Sequence, residues 1–440
     1  MMDILISSAP DVPLIQRPER VHSAAVLLRG RPAAHLRGEV GEAGNGVARL
    51  SLLQAILLQM FFLSILFACA NLARADNALA GIELSQVYNP ISSLDATAPA
   101  WLQLASSDDE EKRARFAAPQ RKIKSSWAFA FDNDLLAPGH RDRDYTYGIN
   151  LTYSGADASD AAISLKLPLA FIDRSLGIEN LPATSHNNYS VESGLFGFTP
   201  GDIEELQLNR SDRPYASLVY LSSSHEQIDN KNNIAWKTSL VIGALGLSLV
   251  GDLQNTAHKE ISGEEARGWN HQISDGGELT ARYVVARQHY LASFSDSVEM
   301  KSTLQASLGY LTETSWSLSI RDGKISSPWA SFNPDLISYG EKSTYSSSIF
   351  SVNEHYFWAG VTLKARFYNA FLQGQLRHSD LTYSYAELRP IIAEGWLGYT
   401  YAFRQGYRVS YVLRAQTSEI KRGDGDRSVV WCGLIFAKTI

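Results

Sequence analysis

The feature of this sequence that most restricts its fold is a strict alternation of apolar and polar residues in many short segments. Between 147 and 154, Tyr147, Ile149, Leu151 and Tyr153 lie on one face, with small or polar residues between them. A period of two residues indicates a β-strand, because successive side chains point to opposite faces. The segments with this pattern are 127–131, 147–154, 161–167, 215–225, 236–247, 278–295, 304–310, 357–367, 370–377, 394–403, 409–415 and 428–436. They predict an all-β protein of about twelve strands.

The chemistry of the two strand faces distinguishes two β-architectures. In a β-sandwich the apolar face turns inward, whereas in a transmembrane barrel it faces lipid and the polar face lines the interior. The polar faces here carry Gln305, Lys364, Arg366, Arg408 and Arg414. The apolar faces end in aromatic residues, namely Tyr310, Phe357, Phe367 and Tyr411. We therefore predict a transmembrane antiparallel β-barrel of about twelve strands with aromatic residues at the bilayer edges.

The N-terminal part of the chain does not share this alternation. Residues 52–70 form one apolar run, which follows Arg49 and precedes the Ala-x-Ala sequence that ends at Ala75. This order predicts a secretory signal peptide cleaved after Ala75. A membrane-spanning helix is the alternative, because about 20 apolar residues are enough to cross a bilayer.

The domain organisation follows from these segments. The predicted parts are a leader at 1–48 that is disordered or lies before the true start, a signal peptide at 49–75, a linker or disordered segment at 76–124, and the barrel at 125–440. A signal peptide and a barrel together predict a protein of the bacterial outer membrane.

Composition and missing motifs exclude several classes of function. The net charge is −6 and no dense Lys/Arg run occurs in the body of the chain, so a nucleic-acid partner is not expected. Cys69 and Cys432 are the only cysteines, too few for a disulfide framework. The chain contains neither G-x-S-x-G nor H-E-x-x-H, which removes the α/β-hydrolase nucleophile and the common zinc-protease motif.

One stretch, 251–265, has a helical pattern instead. Asp252 is a suitable N-cap, and Leu253, Ala257 and Ile261 recur every four residues as an apolar stripe. Gln254 and His258 are also four residues apart, so they project from one helical face. We predict a short helix packed against the barrel that presents these two side chains; a connecting helix with a solvated polar face is the alternative.

A second polar cluster follows the first predicted strand. Asn133 and Asp134 offer oxygen atoms of the kind that Ca²⁺ binds. An imidazole such as that of His258 has an unperturbed pKa near neutral pH and can act as a general base on water. Ca²⁺ beside that water would polarise an ester carbonyl. These residue types permit ester hydrolysis without a serine nucleophile, but their spacing alone does not require it.

Four segments of the chain resemble the outer-membrane lipid A 3′-O-deacylases (the LpxR family). In chain order they are FDNDLL at 131–136, DRDYTYG at 142–148, SDRPYASLVY at 211–220 and DLQNTAHKEISGEEARGWNHQI at 252–273. The resemblance covers roughly 125–440. It implies a twelve-stranded outer-membrane barrel that uses Ca²⁺ and removes the 3′ acyloxyacyl chain of lipid A in lipopolysaccharide.

The resemblance also assigns roles to individual residues. It implies that His258 is the base and Gln254 its partner on the helix, and that Asn133 and Asp134 are the Asn-Asp pair, with Asp134 next to the metal. Thr146 matches the Thr of a Tyr-Thr-x-Gly motif, and Glu264 falls where the family has an acidic residue. The chain departs from the family at Asp132, where Glu is frequent, and at Ser217, where Gly is frequent.

Arg213 in the sequence SDRPYA is a further candidate, because a guanidinium group matches the phosphate oxygens of lipid A. The alternative is an arginine in a turn that enters a strand. Two other functions stay open for the whole chain: a non-catalytic barrel, either a narrow channel or a structural protein, and an outer-membrane phospholipase. A monomer is the expected oligomeric state.

Overall fold

The described part of the chain forms one closed antiparallel barrel. The computed structural model describes residues 125–134, 137, 143–178, 186–229, 232–261, 265–295, 297–337, 339 and 353–440. The predicted leader, signal peptide and linker therefore lie outside the described residues, as does Glu264. No helix within these ranges is long and apolar enough to cross a bilayer.

Twelve strands build the barrel, which confirms the predicted fold. They are β1 Ser126–Asn133, β2 Asp144–Gly155, β3 His186–Thr199, β4 Ala216–Asp229, β5 Ile234–Leu245, β6 Glu278–Ser295, β7 Val298–Gly309, β8 Leu311–Lys324, β9 Glu354–Asn369, β10 Ile391–Ala402, β11 Tyr407–Gln416 and β12 Val429–Thr439. Each strand pairs with its neighbours in sequence, and β1 pairs with β12 from Ser126↔Thr439 to Asn133↔Cys432. This last pairing closes the sheet, so no strand edge is left unpaired.

Within the described residues, three α-helices lie in the connections: α1 Lys166–Leu176, α2 Ser248–Ile261 and the single turn α3 Ala370–Gln373. Two predicted strands are therefore wrong. Residues 161–167 lead into α1, which packs on the barrel through Leu169. Residues 370–377 contain α3. The Asn369 side chain caps this turn by accepting a hydrogen bond from the N–H of Phe371. Short alternating runs do not distinguish a strand from a buried helical turn.

We name the two ends of the barrel by what they carry. The site rim is the end at which β1 finishes and β2 begins, and the terminal rim is the end that carries Ser126 and Thr439. The site rim bears the connections 134–143, 200–215, 246–277, 370–390 and 417–428. The terminal rim bears α1 and the connection 325–353.

The outer face of the barrel is apolar, as the alternation predicts. Its exposed side chains include Trp127, Phe129, Leu151, Phe357, Val361, Leu363, Leu397 and Phe436. Tyr310 is an exception to the predicted aromatic edge, because it is buried inside the barrel against Phe371. It follows Gly309 in the tight connection between β7 and β8, where the alternation of β7 no longer applies.

The interior of the barrel holds buried ion pairs. Glu313 on β8 accepts from Arg366 on β9 at 2.7 Å and from Arg282 on β6 at 3.3 Å. Arg366 also donates to Glu419 at 2.7 Å, and Arg414 donates to Glu394 at 2.6 Å. Charged side chains on the inward face thus neutralise one another, which is what low-dielectric surroundings require.

A chain segment also occupies the interior. Residues 325–337 and 339, between β8 and β9, lie among the inward side chains, and we call them the plug segment. Asn333 donates to Glu226 on β4 at 3.3 Å, and the carbonyl of Pro334 accepts from Arg414 on β11 at 2.5 Å. Tyr339 packs on Tyr145 of β2 with ring centroids 5.6 Å apart. The described interior is therefore packed with side chains and backbone, which does not favour the channel alternative.

Candidate active site

A β-bulge shapes the strand ends at the site rim. The register of β2 with β3 shifts between Tyr145 and Tyr147, so Thr146 is the extra residue. Tyr145 consequently points into the barrel, where it packs on Phe196, whereas Tyr147 points outward. The bulge places the Thr146 hydroxyl 2.6 Å from that of Thr199 at the end of β3. Bulges next to sites re-aim side chains in this way.

The Asn-Asp pair ends β1 beside this bulge. The Asn133 amide nitrogen donates to the Thr146 carbonyl at 2.8 Å, which turns the amide oxygen away from β2. Asp134 is buried, and one of its carboxylate oxygens accepts the backbone N–H of Arg143 at 2.6 Å. The structure thus brings Asn133 into direct contact with Thr146, and Asp134 follows Asn133 just after the end of β1.

Helix α2 lies on the outward face of β1 to β4 at the site rim. Val250 is fully buried in a cluster with Tyr147, Tyr215 and Trp269, and the Tyr147 hydroxyl donates to the Val250 carbonyl. A Cβ at Gly197 on β3 would lie 3.0 Å from Val250, so the absence of a side chain there lets the helix approach the wall.

The helix differs from its prediction in two respects. It begins at Ser248, so Asp252 lies inside it and is not the N-cap. The predicted apolar stripe does not pack on the barrel, because Leu253 and Ala257 are exposed. The face turned to the wall is instead formed by Val250, Gln254 and His258, each about one turn from the next.

Gln254 is anchored through an aromatic partner. Its side chain is 3% exposed, and its oxygen accepts the indole N–H of Trp269 at 2.8 Å. An indole N–H only donates, so this bond fixes the orientation of the amide and directs the Gln254 nitrogen to the opposite side. That nitrogen is buried and has no hydrogen-bond partner among the described residues.

His258 lies one turn beyond Gln254 on the same face. Its ring is partly buried, and its Nδ1 is shielded from solvent. The returning chain is tied to the helix by Asn255, whose side chain donates to the Ala266 carbonyl at 3.1 Å and accepts the Ala266 N–H at 2.8 Å. Glu264, between these two points, lies outside the described residues.

Comparison with known proteins decides which family this fold and site belong to. A family model described as "Outer membrane protein LpxR" matches residues 96–435. The chain belongs to the LpxR family. It is therefore located in the bacterial outer membrane, which confirms the resemblance and the location predicted from the sequence.

Several solved structures are similar to this chain, and one of them has a TM-score above 0.5. LpxR from Salmonella typhimurium has a TM-score of 0.55 and 18% identity, over 72% of this chain and 100% of that chain. The β domain of the Bordetella autotransporter BrkA has a TM-score of 0.33 and 8% identity, over 72% and 100%, and the KdgM porin has 0.30 and 6%, over 72% and 99%. No curated protein matches the chain.

The two departures from the LpxR family pattern have defined contacts. Asp132 points into the barrel, where it accepts from the Tyr145 hydroxyl at 3.1 Å. Ser217 is fully buried at the start of β4 and donates to the side chain of Gln272 at 2.8 Å. Ser217 therefore links β4 to the 246–277 connection that carries α2.

Arg213 of this LpxR-family chain lies away from the outer wall. Its side chain is 6% exposed, and its guanidinium group lies 4.6 Å from the Phe198 ring and 3.9 Å from Asp144. Asp144 also accepts from Arg427 at 2.9 Å. This buried position favours the alternative of a structural arginine over contact with a lipid A phosphate.

At the end of β1, the described residues that could bind a cation are Asn133 and Asp134. Asp134 supplies a buried carboxylate and Asn133 an amide oxygen, both of the type that Ca²⁺ takes. No group of three or more His, Cys, Asp or Glu side chains within the described ranges could hold a metal. These residue types fit Ca²⁺, and the two side chains alone would make only part of a coordination shell.

Sequence reasoning missed two residues of this site in the LpxR-family chain. Trp269 lies within the segment that carries the family resemblance, but only the fold shows that its indole holds Gln254. Thr199 ends β3, a strand absent from the predicted set, so its contact with Thr146 was not foreseeable.

The close fit of α2 on Trp269 yields a testable prediction. A Cβ at Gly251 would lie 2.6 Å from Trp269, so Gly251→Ala should push α2 away from the indole. We expect faster amide hydrogen exchange across 248–261, even though Ala favours helices more than Gly does. Gly395→Ala is the control, because its Cβ would make an ordinary contact at 3.8 Å. Equal exchange in both variants and the unsubstituted protein would contradict the proposed fit.

Proposed function

We propose that this protein is a lipid A 3′-O-deacylase, which hydrolyses a 3′-linked acyl ester of lipid A in the outer membrane. Membership of the LpxR family supports a lipid-modifying role in that membrane. One observation carries the proposal: Gln254 and His258 lie on the face of α2 that packs on the outward wall of the barrel. An imidazole at this position is next to lipid, and a lipid ester can reach it from the side.

An exposed side of α2 supports the same proposal. Leu249 and Leu253 are exposed, and each directly precedes a wall-facing residue, so they lie on the flank of the helix. Acyl chains of a membrane lipid provide an apolar partner for these leucines, because transfer of apolar surface out of water is favourable. A lipid whose acyl chains run along the helix would bring its ester bonds to the level of the polar face.

His258 performs the proton transfers in the proposed reaction. An imidazole nitrogen takes a proton from a water molecule as the water oxygen attacks the carbonyl carbon of the ester. The bond between that carbon and the alcohol oxygen then breaks, and the imidazolium returns the proton to the departing oxygen. The products are a free carboxylic acid and a hydroxyl group on lipid A.

Two amide side chains orient and stabilise the reacting groups. The Gln254 nitrogen, held by the bond from Trp269, can donate to oxygen as negative charge develops on it. Asn133 is fixed by its bond to the Thr146 carbonyl, which presents the amide oxygen away from β2. Both groups are set in place before the substrate arrives, so little reorganisation accompanies the reaction.

Asn133 and Asp134 would hold Ca²⁺ in this proposal. When bound, the ion would polarise the ester carbonyl as a Lewis acid. Burial of the Asp134 carboxylate and its bond from the Arg143 N–H fix the position of the donor oxygens. Lipid oxygens and water would contribute further ligands, because Ca²⁺ takes about six to eight oxygen atoms.

The function is tested with the purified protein in vesicles that contain both lipid A and glycerophospholipid. Mass spectrometry is expected to show lipid A that has lost its 3′ acyloxyacyl group, with the glycerophospholipid intact, in Ca²⁺ and not in excess EGTA. Asp134→Ala should abolish the Ca²⁺-dependent product, whereas Asp424→Ala, an exposed rim carboxylate, should not. Lysophospholipid with unchanged lipid A would assign a phospholipase instead, and full activity in EGTA would remove Ca²⁺ from the mechanism.

A further inference from the structure

Helix α1 is attached to the outward wall of the barrel by specific hydrogen bonds. The N–H of Leu165, just before the helix, donates to the Ser223 hydroxyl on β4 at 2.8 Å. The Asp173 carboxylate accepts from Thr238 on β5 at 2.9 Å and from Tyr283 on β6 at 2.8 Å. These strand residues alternate with inward-pointing neighbours, so the helix lies on the face that elsewhere contacts lipid.

The inner face of α1 is packed as part of the fold. Leu169 is almost fully buried in a cluster with outward residues of β5 to β7, and Ile172 and Leu176 pack against the same cluster. The other members of the cluster are Ile178, Ile234, Trp236, Leu240, Tyr283, Val285 and Ala306. The position of the helix on the wall is therefore fixed.

The helix lies where the outward wall changes from apolar to polar. On β4 the outward residues are Val219 and Leu221 on the site-rim side, followed by Ser223, His225 and Gln227 toward the terminal rim. Ser223 at this change is the residue bonded to the start of α1. A change of this kind along a barrel strand marks the boundary between hydrocarbon and headgroups.

Strand β6 shows the same change at the same helix. Its outward residues pass from Tyr283 and Val285 to Arg287 and His289 toward the terminal rim. Tyr283, whose hydroxyl donates to Asp173 of α1, belongs to the apolar part of β6. The changes on β4 and β6, the strands that flank β5, thus both place α1 at the height of one membrane surface.

The outer face of α1 has the chemistry of an interfacial helix. Leu167 is 82% exposed and Phe171 is 71% exposed, and because they are four residues apart they form one patch. Lys166 and Arg174, both exposed, flank this patch. Apolar residues bordered by cations are typical of helices that lie in the plane of a membrane surface and contact anionic headgroups.

We propose that α1 is a membrane-surface anchor, with Leu167 and Phe171 inserted into the leaflet on the terminal-rim side and Lys166 and Arg174 at its headgroups. Lipid is the occupant that the wall favours, because the patch is continuous with the lipid-facing surface of an outer-membrane barrel. The anchor would fix the height and tilt of the barrel in the bilayer. It is independent of the proposed deacylase activity.

The test measures the membrane depth of these two positions in the full-length protein. Leu167→Cys and Phe171→Cys, each carrying a nitroxide label, are reconstituted into vesicles of phosphatidylethanolamine and phosphatidylglycerol, with the labelled unsubstituted protein as background. Collision rates with oxygen and with a water-soluble nickel chelate then report lipid and water contact. Phe357→Cys, on the exposed outer wall, is the lipid control, and Leu376→Cys, an exposed leucine in the site-rim connection 370–390, is the water control.

We expect the oxygen-to-nickel ratio at both helix positions to be severalfold above that of Leu376→Cys and close to that of Phe357→Cys. Ratios equal to the water control at both positions would overturn the proposal. Protection from both reagents would also overturn it, because it would indicate that protein, such as a second copy of the chain, covers the helix. Two labelled positions keep the test valid if one variant fails to insert.

Discussion

Replacing His258 by Ala is expected to lower the rate of lipid A deacylation by roughly 10²–10⁴-fold, the contribution typical of a positioned general base. The imidazole lies on the wall-facing side of α2, one turn from the buried Gln254, and outside the strands that close the barrel. The product is measured by mass spectrometry of lipid A from vesicles at equal protein concentration.

Two further variants make this result specific. His258→Gln keeps a hydrogen-bonding side chain but cannot take the proton, so it should be as inactive as the Ala variant. His378→Ala is the matched control, because that imidazole is 90% exposed in a site-rim connection and pairs only loosely with Asp380 at 3.9 Å. Retained activity of both His258 variants in correctly folded protein would show that another group acts as the base.

Replacing Glu313 by Ala is expected to reduce the free energy of unfolding by about 3–5 kcal/mol, since it leaves buried arginines without their carboxylate. Glu313 is 2% exposed and bonds to both Arg366 and Arg282 inside the barrel. Arg366 keeps its bond to Glu419, whereas Arg282 loses its ion pair with Glu313. Urea unfolding of the reconstituted barrel, followed by tryptophan fluorescence, measures the change.

The comparison for this variant is Glu205→Ala, which removes an exposed carboxylate from the site-rim connection 200–215. Exposed charges contribute less than about 1 kcal/mol, so this variant should unfold like the unsubstituted protein. A Glu313→Ala barrel as stable as the Glu205→Ala barrel would mean that water or a rearranged partner neutralises Arg282.

The barrel was predictable because lipid imposes a simple rule on every strand. In most strands the outer residues are largely apolar and the inner residues largely polar, as in β9 with Phe357 and Val361 outside and Arg366 inside. β3 breaks the rule, because Phe196 and Phe198 point inward into an aromatic cluster while Gly197 faces α2. That inversion comes from tertiary packing and leaves no strand signal in the alternation. β8 does follow the alternation, with Trp316, Leu318 and Ile320 on its outer face, but the twelve predicted strands did not include it.

The contact between Asn133 and Thr146 could be expected from the sequence, whereas the way in which α2 meets the barrel could not. Spacing alone puts Gln254 and His258 on one helical face, and the strand-loop-strand pattern puts Asn133 near Thr146. The sequence does not reveal which face of the helix meets the barrel, because Leu253 and Ala257 form a plausible apolar stripe that is in fact exposed. A helix at a lipid boundary has apolar surroundings on its outer side, so the usual reading of an amphipathic helix is reversed here.

The plug segment has a consequence for the order in which the molecule assembles. It contacts β2 through Tyr339, β4 through Asn333 and β11 through Pro334, so strands from early and late in the chain surround it. The seam between β1 and β12 joins the two ends of the described chain and carries the largest loop-closure entropy of any strand pair. If the seam closed first, 325–339 would have to be threaded into a finished cylinder; closing the seam last lets the sheet wrap around the segment as it curls.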